Sequence, residues 1–411
     1  MTDLTATWAA WLTPSAGLPT VQWSLLLALA AAAGHLVHRY MALPKIVGYS
    51  AIGAMAGLAG FSGVAWPLQG PVLFFVELCV SIVLFETGGR IALRWFRHNP
   101  MVLLQSVLEA ALTYAAVYAA LRWFEVRPSV ADALALVAMA SSPAVLSRVV
   151  ADVRAAGPVT ERALVLTTLG AFYAIALVAA RVGMLQREDT HWLQLLQPVG
   201  VVLGVSVLAG AGIAVVLRLA LRFMNPASEN TSILLLATIA AGTALASPLG
   251  GSAPLSALLA GLLLKQFHPR PWSWPRQFGT AASLLVMLGF VVVALVAAQQ
   301  PWDPMLSTTV LALLGARGVA KVGGVLLGNP GSGTSWRQAL LTGVALSPMA
   351  SLGLLLVSQL SAAAIFTGPQ IAAIGLPAIL VLEGVGAIFA TYVLHRARES
   401  SEGTVTGGIH A

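Results

Sequence analysis

Apolar runs long enough to cross a lipid bilayer follow one another along almost the whole chain. About 20 residues of helix span the hydrocarbon core. Thirteen such stretches can be marked, at approximately 18 to 38, 43 to 60, 71 to 90, 101 to 122, 128 to 150, 160 to 181, 198 to 220, 231 to 248, 253 to 267, 278 to 298, 305 to 327, 337 to 360 and 370 to 395. Of the 411 residues 58% are apolar and 9% charged, against roughly 45–50% and about 25% in a soluble domain. The expected fold is an all-α polytopic membrane protein, a single transmembrane domain with little room for a soluble one.

Charge tests the count. An odd number of spans puts the termini on opposite sides, so basic residues should cluster in alternate loops. Fifteen do, after the odd-numbered spans: Arg39, Lys45, Arg90, Arg94, Arg97, Arg154, Arg162, Arg218, Arg222, Lys265, Arg270, Arg276, Arg337, Arg396 and Arg398. The opposite loops hold four: Arg122, Arg127, Arg181 and Arg187. The N-terminus is expected outside and the C-terminus in the cytoplasm. The net charge of +7 therefore reads as membrane topology, with lipid and not nucleic acid as the partner. A lone cysteine, Cys79, excludes an intrachain disulfide and a thiolate metal site. No metal or cofactor is expected. The opening MTDLTATWAAWLTPS lacks the basic start of a cleaved signal peptide, so the N-terminus is expected to be retained. Residues 399–411 read as a disordered tail.

Two spans are interrupted. Span five carries Ser141-Ser142-Pro143 and span twelve carries Ser347-Pro348, 205 residues on. Proline removes a backbone donor and clashes with the preceding turn, and the freed carbonyls need protein or a water-filled cavity. A simple kink is one reading. Paired breaks in spans of opposite direction fit another, an inverted repeat in which discontinuous helices meet near the midplane at a substrate or ion site.

The remaining charges lie inside spans. Glu109, Arg317, Lys321 and Glu383 each cost about 2.5–3.5 kcal/mol on an insertion scale, so they should face protein or water. Arg317 and Lys321 lie one helical turn apart and need an acidic or anionic partner. Either they staple the bundle to Glu109 or Glu383, or these groups relay a proton or ion. Glu86 precedes Arg90 by one turn and is read as its helical partner; Glu77 in the same span stays open. Arg148, five residues after Pro143, either snorkels to the interface or lines an inward pathway. His35 and His38 read as interfacial.

Several segments resemble the monovalent cation/proton antiporters, in order along most of the chain: LPKIVGYSAIGAMAGL, VSIVLFETGG, ASSPAVLSRVVADVRAAG, SPLGGSAPLSALLAGLLL, ARGVAKVGGVLLG, ALLTGVALSPMASLGLLL and ILVLEGVGAIFATYVLHRA. The resemblance implies thirteen spans with two inverted repeats and two crossing discontinuous helices, usually in a homodimer. It implies a scaffold of about 18–90 and 231–298, a linking helix of about 198–220, and a mobile core of about 101–181 and 305–395. Lys321 or Arg317 resembles the basic residue that the family places in its core. One departure stands out. The family carries an ion-binding aspartate in the span after the SSPAV-like segment, yet from Ala163 to Gln186 there is no Asp, Glu or Asn. The corresponding positions fall around Gly170, Ala171 and Phe172.

A dehydrated cation needs hard oxygen ligands. Ser141, Ser142, Thr167, Thr168, Ser347 and carbonyls freed at the breaks are the candidates, and the titratable role passes to Glu109 or Glu383. The leading expectation is a secondary transporter exchanging protons for sodium or potassium in a bacterial cytoplasmic membrane. The alternatives are a sodium- or proton-coupled carrier of an anionic organic solute, and a transport-inactive relative acting as sensor or assembly partner. An enzyme is not expected: HExxH, GxSxG and paired intramembrane aspartates are all missing from the sequence.

Overall fold

The computed structural model describes residues 19–61, 64–185, 192–225, 228–267, 276–300 and 303–400. Regular structure among them is entirely helical: α1 Pro19–Met41, α2 Lys45–Leu58, α3 Gly70–Gly88, α4 Leu93–His98, α5 Met101–Trp123, α6 Pro128–Met139, α7 Pro143–Asp152, α8 Pro158–Leu185, α9 Trp192–Phe223, α10 Glu229–Ala246, α11 Ala253–Phe267, α12 Arg276–Ala298, α13 Pro304–Leu327, α14 Trp336–Ala345, α15 Ser351–Ala363 and α16 Gly368–Arg396. Counting α6 and α7 as one span, ten helices among the described residues are long and apolar enough to cross a membrane, and α2, α11 and α15 are shorter apolar helices. Proline opens α3, α6, α7, α13 and α16 in the first turn, where its missing N–H is an orphan anyway and its fixed φ suits the helix.

Small residues set how closely helices approach. A Cβ at Gly53 of α2 would stand 2.5 Å from the Val291 carbonyl of α12, and Gly57 meets the Leu295 carbonyl one turn on. Such close backbone approach is the usual source of membrane helix affinity, because lipid tails compete equally for apolar side chains. Gly324 of α13 and Gly328, which caps its C-terminus, lie in the same way against the backbone of Glu109 and Gln105 in α5. The Gln105 side-chain amide donates to the Val325 carbonyl at 2.7 Å.

Two sets of helices result. α1, α2, α3, α9, α10, α11 and α12 pack on one another; α5 to α8 and α13 to α16 form the other set. In the second set one order occurs twice: a long helix, a broken one, a long one. The sets meet where α16 touches α2 and α12, α15 and α7 touch α3, and α8 touches α9. The most enclosed span is the broken α6–α7, which therefore forms the centre of the bundle.

Two expectations need correction. The disordered tail does not begin at residue 399: the Glu399 carboxylate accepts from the backbone N–H groups of Val159 and Thr160 at 2.9 and 2.8 Å and from the Thr160 hydroxyl at 2.6 Å. It caps the N-terminus of α8, where unpaired N–H groups and the helix dipole favour an anion. Residues 401–411 lie outside the described residues, as do Arg187 and Arg270. Arg162, counted with the basic residues that follow span five, is buried in α8 and donates to the Ser332 carbonyl at 2.5 Å. Its partner is a main-chain oxygen in the loop between α13 and α14, which no residue-type pattern locates.

Candidate functional site

Both Ser-Pro interruptions are true breaks, and they cross. Helix α6 stops at Met139, Ala140 turns extended (φ −62°, ψ 136°), and Ser142 (φ −94°, ψ 102°) caps α7 by accepting from the Val145 N–H at 3.3 Å. Helix α14 stops at Ala345 and α15 resumes at Ser351. The Ser142 N–H donates to the Pro348 carbonyl at 2.8 Å, and the Ser141 hydroxyl to the Leu346 carbonyl at 2.9 Å. Behind the crossing α16 comes so close that a Cβ on Gly386 would stand 2.7 Å from Pro348 Cα.

A helix that ends inside hydrocarbon leaves carbonyls without partners and a partial negative charge. Here α13 supplies the compensation. Arg317, fully buried, donates from Nε to the Ala138 carbonyl at 3.0 Å, from Nη2 to that of Ala140 at 2.8 Å and from Nη1 to that of Ser347 at 2.6 Å. Lys321 takes the carbonyl between, Met139, at 3.1 Å and forms an ion pair with Glu109 of α5. Three consecutive carbonyls of the α6 terminus thus meet cationic donors, and one guanidinium reaches both breaks. A flat fork with five N–H groups suits that task, which an ammonium could not cover.

The Lys321–Glu109 pair is buried on both sides. The Thr113 hydroxyl, one turn along α5, donates to Glu109 Oε1 at 3.3 Å. Glu109 Oε2 faces α8 at Gly170: a Cβ built there would stand 3.9 Å from that oxygen and 3.3 Å from the Met139 carbonyl. At the position where the resemblance implies a carboxylate, α8 presents bare backbone, and Glu109 enters the same space from α5.

The other predicted residues distribute around this pair. Thr167 and Thr168 donate to carbonyls of their own helix at 2.9 and 2.7 Å, and Ser347 to Val344 at 2.7 Å. Arg148 lines a cavity of about 230 Å³ together with Glu86, Arg90 and Ser147. Glu86 and Arg90 form the expected helical pair at 2.6 Å. Glu383, in α16, is completely buried and apart from Arg317 and Lys321: neither carboxyl oxygen has a hydrogen-bond partner among the described residues. A second cavity, about 400 Å³, runs from Arg90 and Glu161 to Thr168. A third, about 690 Å³, opens at the other end of α8 beside Glu77, Ser252 and Gln359. The Glu109–Lys321 pair lines none of the three.

Sequence reasoning leaves several residues out. Gln105 and Gly324 are part of the α5–α13 contact, and Thr113 donates to Glu109 within α5; the Gly324/Gly328 spacing is a small-xxx-small signal that could have located the contact. Asp132 binds Arg181 at 2.7 Å and accepts from the Tyr114 hydroxyl at 2.8 Å; nothing in the local pattern of either helix announces that link.

Over residues 24–395 the chain matches the family of sodium/hydrogen exchanger transmembrane domains. No curated protein matches it by sequence. Its fold is similar to that of the sodium proton antiporter MjNhaP1 from Methanocaldococcus jannaschii at pH 8, with a TM-score of 0.68 and 13% identity, covering 91% of this chain and 97% of that one. An electron-microscopy structure of the same antiporter gives a TM-score of 0.65 and 15% identity over 92% and 96% of the two chains. Broken helices that cross, buried charges that tend them and a match spanning nearly the whole length lead to one assignment: this membrane protein belongs to the sodium/hydrogen exchanger family.

Proposed function

We propose that the chain exchanges protons for a monovalent cation, sodium or potassium, by alternating access, with Glu109 and Lys321 as the exchanging pair. The observation that carries this is the enclosed Lys321–Glu109 ion pair at the crossing of the two breaks. An entering cation takes the Glu109 carboxylate from the Lys321 ammonium, and the ammonium releases its proton to the same side. One positive charge replaces another, so the buried site keeps its net charge while one proton leaves and one cation enters. The Thr113 hydroxyl and the Met139 carbonyl, which already touch the pair, supply further hard oxygens. The hydroxyls of Ser141, Ser142, Thr167, Thr168 and Ser347 hold the breaks and helix ends in shape, and each keeps acceptor capacity. Arg148 and Glu86 border the route to one face.

In this reading the helices of about 18–90 and 231–298 stay fixed, 198–220 links, and 101–181 with 305–395 move. The protein works as a homodimer of thirteen-span subunits with the N-terminus outside, in a bacterial cytoplasmic membrane. Transport of an anionic organic solute draws less support, because Arg317 and Lys321 are both engaged.

Purified protein in proteoliposomes with a pH gradient tests this. Sodium or potassium should collapse the gradient, Glu109→Gln and Lys321→Gln should each abolish the effect, and Glu109→Asp should retain part of it. Exchange in Glu109→Gln equal to the parent's would refute the assignment. Uptake of a labelled organic anion instead would favour the carrier, and absence of any flux the inactive relative.

A further inference from the structure

Glu383 is a buried acidic residue that the exchange step leaves unused. Its side chain is 0% exposed, and neither Oε1 nor Oε2 meets a donor among the described residues. It lies on α16 one turn before Gly386, which touches Pro348 at the crossing, so it stands within about 5 Å along the helix axis of the two breaks. On the other side α16 packs on α2, and there Ser50 faces Glu383, its own hydroxyl likewise buried and without a partner in hydrogen-bond geometry. Two unsatisfied polar groups thus confront each other across a joint between the two sets of helices.

Unsatisfied buried polar atoms are rare and costly, and a bare buried carboxylate is far costlier than a neutral acid. The groups around it do not offset that. Cys79 of α3 is within electrostatic reach of Glu383 and is itself approached by Ser351 and Arg148; Tyr49 lies on α2, Arg148 and Asp152 on α7, Arg317 and Lys321 on α13, and Arg337 on α14. None of the described basic groups forms a salt bridge with Glu383. Arg317 is spent on three carbonyls and Lys321 on Glu109.

We propose that Glu383 and Ser50 form a second proton-binding site, occupied in this conformation, at the joint between α16 and α2. The proton sits on the Glu383 carboxyl while α2 covers it. It leaves when the joint opens and water reaches the acid, and a fresh proton must return before the joint closes on an uncharged group. The site therefore makes the sliding of one helix set against the other depend on proton occupancy, separately from the exchange at Glu109. Proton and cation numbers stay equal, because the Glu383 proton leaves and is replaced within one opening of the joint; its occupancy sets how fast the joint closes, and that rate falls as the opened face is made alkaline.

Two measurements test it, and only the second rests on the exchange reading. In infrared difference spectra the carbonyl stretch of a protonated carboxylic acid should be present in the parent, lost in Glu383→Gln, retained in Glu109→Gln and shifted in Ser50→Ala. The same band in parent and Glu383→Gln would overturn the proposal. In proteoliposomes Glu383→Gln, a near-isosteric change whose fold is checked by its elution profile, should hold its exchange rate to higher pH than the parent, because its joint closes without waiting for a proton. Identical pH profiles for an exchanging parent and Glu383→Gln also overturn it. Should the parent exchange nothing, the antiport reading fails and the infrared result alone decides the proton site.

Discussion

Restoring a carboxylate on α8 should repair a protein that has lost Glu109. A Cβ at position 170 would stand 3.9 Å from Glu109 Oε2 and 3.3 Å from the Met139 carbonyl, so an aspartate there reaches the space that Glu109 now occupies and α8 must give by a few tenths of an ångström. In the parent background Gly170→Asp puts two carboxylates about 4 Å apart. At an effective dielectric constant of ~20 their repulsion is about 4 kcal/mol, which corresponds to roughly a thousandfold change in the proton or cation equilibrium of the site. The single variant should therefore show strongly altered exchange. In Glu109→Gln the repulsion is gone, and the introduced aspartate becomes the partner of Lys321. The assay is the proteoliposome gradient collapse, run on the parent, Glu109→Gln, Gly170→Asp and the double variant after gel filtration confirms that each is folded. The expected order has Glu109→Gln inactive and the double variant active. A folded double variant no better than Glu109→Gln would refute the reasoning, since it would mean that a carboxylate in this space does not suffice.

Arg317→Ala leaves three buried carbonyls without donors, at about 1–3 kcal/mol each, so its thermal transition in detergent should drop sharply and Arg317→Lys should recover only part of the loss; equal transitions for parent and Arg317→Ala would show the guanidinium to be dispensable. Gly386→Ala forces a methyl group to 2.7 Å from Pro348 Cα, and overpacking of this kind costs about 1–3 kcal/mol; stability measured by denaturation should fall by that amount and transport with it. Glu399→Gln keeps the cap geometry but loses the charge at the α8 N-terminus, an effect of roughly 0.3–1 kcal/mol that should lower stability most in low salt.

The breaks are legible in the sequence because Ser-Pro inside an apolar run is a local signal with a local cause. Likewise Glu86–Arg90 follows from helical spacing alone. Glu109, Arg317, Lys321 and Glu383 stand out as groups that must find partners, since a charge in hydrocarbon announces itself, but which partners they find does not. Lys321 meets Glu109 because Gly324 lets α13 lie directly on α5, a contact between segments 212 residues apart. That Arg317 answers carbonyls instead of an acid is hidden for a different reason: its partners are main-chain atoms, which carry no residue-type signature. Glu399 has the composition of a tail around it, while its role depends on α8 starting nearby.

One guanidinium binds main-chain atoms of both interrupted helices at once. Pulling α6 and α14 apart would strip its N–H groups of their acceptors on one side or the other, in a place where water cannot substitute. The pair is thus locked to a common pivot, and whatever tilts one gap toward either face of the bilayer must tilt its counterpart by the same act.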